Sequence, residues 1–135
     1  MLHRVLRIGR WSVDFLFATE GYDVNGVLAC LYDVGAPSDV MERAETIMEG
    51  GWYNRGFTFS NLDGRRAVCV VGPTTSGHQF VNTFTHEVRH VADAIAKSIG
   101  YDLDGEEPAY LSGDAAMALA EVVCRLGCDR CRAVK

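Results

Sequence analysis

Thr85-His86-Glu87-Val88-Arg89-His90-Val91-Ala92-Asp93 is the stretch from which the rest of the chain can be read. In a helix His86 and His90, at i and i+4, leave the same face one turn apart, so both imidazoles can hold one metal ion. Glu87 is rotated from His86 by about 100°, where a carboxylate can reach a water beside that ion. The pattern H-E-x-x-H therefore assigns the segment to a helix and gives that helix a chemical face. A catalytic zinc takes three protein ligands, so a third must come from elsewhere in the chain.

Around this stretch the flanking residues define the helix. Ser76 followed by Gln79 has capping-box spacing, and Gly100 supplies a stop after Ser98 or Ile99. Phe80, Phe84, Val88, Val91, Ile95 and Ile99 form one apolar stripe, centred nearly opposite the histidines at about 100° per residue. The helix can therefore be buried on one face without burying its chemistry.

Upstream, Gly56-Phe57-Thr58-Phe59 and Arg66 to Val71 flank the turn-formers Asn61-Leu62-Asp63-Gly64, which predicts a hairpin. The strand over 66–71, next to the motif helix, is expected to offer its backbone to an extended peptide. A helix follows Pro37, with Ser38 or Asp39 as its cap and Gly50-Gly51 as its stop. Residues 3–8 and 11–19 are expected to be strands, with His3, Arg4, Arg7 and Asp14 on a solvated face. Asn25-Gly26 signals a turn, and the apolar run Val27 to Tyr32 after it suggests a buried strand. Downstream, the polar link Tyr101 to Gly105 leads to a second helix over about 106–126, apolar most of the way round and expected to be largely buried.

The third ligand is sought at the start of that last helix. Glu106 and Glu107 stand there, and a short antiparallel return brings them towards the histidine face. Asp104 and Glu107 have capping-box spacing, which occupies Glu107 and leaves Glu106 as the expected ligand, with Glu107 the alternative. Asp93 shares the histidine face but is better placed to orient an imidazole than to bind the ion. Tyr110, one turn beyond Glu106, is the candidate donor to a developing oxyanion.

His86-Glu87-x-x-His90, a short connection and Glu106-x-x-Ala109-Tyr110 together resemble the small gluzincin-like zinc metallopeptidases, most closely compact, often prophage-encoded ones and more distantly the ImmA/IrrE group. The resemblance covers roughly residues 66–120. It implies a minimal zincin-like α+β fold, a small twisted sheet on the motif helix with a second helix donating the third ligand. It also implies Zn2+ as cofactor, a peptide or protein as substrate and Glu87 as general base. The competing reading is a zincin scaffold without catalysis, a binding or structural protein, phage-related, that uses the metal for stability.

Composition sets the remaining bounds. A chain of 135 residues fits a single domain over 1–135. The net charge of −5 argues against nucleic acid as a partner, and no apolar run approaches the roughly 20 residues of a membrane span. Nothing in the sequence sets an oligomeric state. Five cysteines, an odd number, suit a reducing cytoplasm. Cys30 and Cys69 lie in apolar runs and are expected to be buried. Cys124-x-x-x-Cys128-x-x-Cys131 matches the spacing that holds an iron–sulfur cluster in radical SAM enzymes, without the barrel that follows it there. Its expected reading is free thiols on a frayed tail over about 127–135, with a structural metal or a disulfide as the alternative.

Overall fold

Alternation along four short strands divides the apolar residues between the two faces of one sheet. The computed structural model describes residues 1–50 and 56–132. Its strands are β1 (Leu2–Ile8), β2 (Trp11–Phe17), β3 (Gly56–Asn61) and β4 (Arg66–Val71). They are ordered β1-β2-β4-β3, with β2 and β4 parallel and the other pairs antiparallel. The α-helices among the described residues are α1 (Val24–Asp33), α2 (Ser38–Glu49), α3 (Gly77–Ile99), α4 (Glu107–Ala118), α5 (Ala120–Gly127) and the single turn α6 (Asp129–Arg132). The architecture is the expected α+β class.

Trp11, Val13, Phe15 and Phe17 of β2 and Ala67, Cys69 and Val71 of β4 point to one face, where α3 lies with α4 and α5 behind it. Phe17, Phe80 and Phe84 interlock there, with ring centroids 5.6 to 6.1 Å apart. Leu16, Val68 and Val70 point the other way, onto Val27 and Leu31 of α1 and Ala44 and Met48 of α2. The sheet is thus covered on both sides. On β3 the same alternation sends Phe57 and Phe59 to the α1/α2 layer and leaves Thr58 facing α3.

The motif helix has the expected bounds. Ser76 caps it by accepting the Gln79 N–H at 3.1 Å, and Gly100 ends it in the left-handed region at φ 88°. Only half of the capping box forms, because the Gln79 side chain accepts from Thr75 instead of from the Ser76 backbone. Five members of the apolar stripe are buried, but Ile99, at the helix end, is 57% exposed.

Several expectations are corrected. Residues 27–32 are not a strand but most of α1, and Asn25-Gly26 lies in its first turn. A short, wholly apolar run carries no period, so it cannot distinguish a strand from a helix; here Val27 and Leu31, at i and i+4, are the buried pair. Pro37, not Ser38 or Asp39, is the N-cap of α2, with no side-chain bond. Gly50 ends that helix, and Gly51 lies outside the described residues. Asp14 is buried rather than solvated: it accepts from His3 Nε2 at 2.8 Å and pairs with Arg66 at 3.6 Å. The last helix breaks at Leu119, and only Pro108, Ala115, Leu119 and Val122 are buried along it. Alanine is its commonest apolar residue, and such small side chains do not create a second face worth burying. Finally, β4 lies between β2 and β3, so its backbone edges are both used and cannot receive a peptide; the edges of the sheet are β1 and β3, and β3 is the one beside α3.

Candidate metal centre

Helix α3 lays Phe80, Phe84 and Val88 on the sheet, and this contact fixes the rotation of everything else on it. His86 and His90 emerge on the far side, both exposed. Their Nε2 atoms lie 3.2 Å apart, with the rings edge to face. Two nitrogens each about 2.0–2.1 Å from a tetrahedral ion stand about 3.3 Å apart, so the spacing suits a shared zinc. Neutral imidazoles can also make this contact as a donor–acceptor pair. The donor chemistry fits the metal that the motif implies.

Glu87 behaves differently from the histidines on either side of it. It is 5% exposed, at the seam between α3 and β3. Its Oε2 accepts a 2.7 Å hydrogen bond from Thr58 Oγ1, and its Oε1 lies 3.9 Å from His86 Nε2. Behind Thr58 is Cys69, whose side chain also hydrogen-bonds to Thr58. Burial drives the Cys69 thiol pKa far up, so it stays protonated beside Thr58, whose hydroxyl donates to the carboxylate. A buried carboxylate without a donor is costly; this chain supplies one from the sheet.

Room for the carboxylate comes from Gly56. A Cβ at that position would run into the Val70 carbonyl oxygen and lie 3.0 Å from Glu87 Cγ. Gly56, Phe57, Thr58, Ser60, Glu87 and His90 line an open cleft of about 450 Å³. The strand edge and the two reactive groups therefore share one concavity. Sequence reading missed Gly56, Thr58 and Ser60 as site residues. The period of two along β3 was the available signal, since it puts all three on one face.

The remaining candidates do not converge on the histidines. Glu106 is the exposed N-cap residue of α4, and Glu107 opens its first turn without the capping box expected with Asp104. The Asp104 N–H donates instead to Asp102 Oδ1 at 3.0 Å. Tyr110 is 66% exposed. Asp93 accepts from Arg89 Nε at 2.7 Å and so is engaged away from the imidazoles. Arg89 also donates to the Leu103 carbonyl at 3.1 Å, tying the link before α4 to the motif helix. Among the described residues, no group of three or more His, Cys, Asp or Glu side chains is arranged around one metal position. Nor is any helix among them long and apolar enough to cross a membrane.

No protein-family model, curated protein or solved structure matches the chain.

Proposed function

We propose that the protein is a zinc-dependent peptidase. The observation that carries this reading is the convergence of His86 Nε2 and His90 Nε2, 3.2 Å apart, beside the buried carboxylate of Glu87 in a cleft walled by an edge strand. His86 and His90 are the first two ligands. Glu106, exposed at the start of α4, is the candidate third, with Glu107 as its alternative, although neither is arranged with the histidines around one metal position. Zinc held by these residues would supply a Lewis acid that polarises a carbonyl and brings the pKa of a neighbouring water to about 7.

The chain's own groups supply the rest. Thr58 holds Glu87 Oε2, so Oε1, the oxygen nearer His86, is the proton acceptor. Glu87 takes the proton of the attacking water and delivers it to the departing amine. Edge strand β3 pairs with an extended peptide through its backbone and aligns the scissile bond along the cleft. Tyr110 is the candidate donor to the oxyanion. Substrate is therefore taken as an extended segment of peptide or protein.

The test is metal content together with cleavage of a mixed peptide library, before and after a chelator. This reading expects about one zinc per chain, cleavage abolished by the chelator and activity restored by added zinc. Stoichiometric zinc without cleavage of any peptide favours the second reading, a scaffold that holds metal for binding or stability. That no third His, Cys, Asp or Glu among the described residues joins His86 and His90 around one metal position is the observation on that side.

A further inference from the structure

Cys128-Asp129-Arg130-Cys131 has a local order that a frayed tail would lack. Cys128 ends α5 with an extended backbone, φ −118° and ψ 118°, and its carbonyl accepts the Arg132 N–H at 2.9 Å, closing α6 over the residues between. Both flanks are tied to the loop before α3. Asp129 Oδ1 accepts the Gly77 N–H at 2.6 Å, at the very start of the motif helix. Arg132 donates to the Thr74 carbonyl, to Thr74 Oγ1 at 3.0 Å and to the Leu126 carbonyl at 2.9 Å. The expected free tail is thus docked as far as Arg132, and residues 133–135 lie outside the described residues.

One helical turn sets Cα atoms three residues apart at about 5 Å, within the roughly 4.4–6.8 Å that a disulfide spans. The two thiols hydrogen-bond to each other. The backbone N–H of Cys131, the Cys131 thiol and the Arg130 N–H favour the Cys128 thiolate and lower its pKa. The Cys131 pKa is raised, chiefly because its proton is held by Cys128. Such a difference separates an attacking thiol from a resolving one. Cys124 is exposed on α5, but it does not complete a three-ligand metal group among the described residues. Cys69 is buried as expected, whereas Cys30 is only half-buried, and desolvation raises the thiol pKa of both.

We propose that Cys128 and Cys131 form a reversible thiol–disulfide site that exchanges with low-molecular-weight disulfides. The Cys128 thiolate attacks one sulfur of the small disulfide, whose S–S bond breaks as one thiolate leaves with the electron pair and is protonated by water. The Cys131 thiol gives its proton to solvent and attacks the Cys128 sulfur of the mixed disulfide, releasing the second small thiol. Two protein thiols are oxidised and one small disulfide is reduced to two thiols. The bond formed closes the turn that caps the motif helix through Asp129.

The experiment is incubation of the full chain with glutathione disulfide, alkylation of the remaining thiols, tryptic digestion and mass spectrometry. Trypsin cuts after Arg130, between the cysteines, so the bridge appears as two linked peptides lighter by two hydrogens. The expected result is a Cys128–Cys131 bridge in the wild type and a stable glutathione adduct on Cys128 in Cys131→Ser. Cys128→Ser should carry at least tenfold less adduct on Cys131, with circular dichroism matching the wild type for both variants. A lasting Cys128 adduct in the wild type, a bridge to Cys124 or modification of Cys124 alone would overturn the proposal. Peptide cleavage plays no part in the readout, so the outcome is independent of the metal centre.

Discussion

At the scale of single residues, the decisive contact is Thr58 to Glu87. A carboxylate that is 5% exposed needs a donor, and Thr58 Oγ1 provides it at 2.7 Å. Thr58→Val keeps the shape of the side chain and removes the hydroxyl, leaving the carboxylate underbonded. We expect a stability loss of about 1–3 kcal/mol, largely restored in Thr58→Ser, both measured by urea unfolding. A Thr58→Val protein as stable as the wild type would show that the bond contributes nothing. His86 and His90, both exposed, are expected to behave in the opposite way. Replacing either by alanine should leave unfolding nearly unchanged, yet weaken zinc binding beyond the roughly 10–100-fold that loss of an outer-shell partner costs. Zinc titration by calorimetry checks this, and unaltered affinity in both variants contradicts the assignment.

At the scale of elements, helix α3 was legible because its signals agree: Ser76 at the start, Gly100 at the end and one apolar stripe between them. Helix α1 was not, because Val27 to Tyr32 is apolar throughout and its period emerges only when Ala29 and Tyr32 are seen to face solvent. The histidine pair followed from spacing alone. Thr58 did not, because its role depends on which strand lies beside α3, a long-range fact that local sequence does not encode. The stripe itself can be tested at its two ends. Phe84→Ala should cost about 3–5 kcal/mol, since Phe84 stacks on Phe80 at 5.6 Å and touches Phe17. Ile99→Ala, at a position 57% exposed, should stay within about 0.5 kcal/mol. Equal losses at the two positions would contradict the burial pattern.

At the scale of the whole molecule, the sheet acts as a common wall. Its α1/α2 face is a plain core, while its α3 face carries the histidine helix and presents the β3 edge to the cleft. Gly56 is where β3 passes between β4 and α3, too close to the Val70 carbonyl and Glu87 for a Cβ. Gly56→Ala should therefore push β3 from α3 and destabilise by about 1–3 kcal/mol, a shift readable as a lower denaturant midpoint. In the proposed reading this arrangement makes Glu87 the proton acceptor for peptide hydrolysis beside a zinc held by His86 and His90. Its most direct test compares the wild type with Glu87→Gln at matched zinc content, on one cleaved peptide. The predicted result is equal zinc occupancy and a loss of turnover of about 100-fold or more. Undiminished cleavage by Glu87→Gln would contradict it.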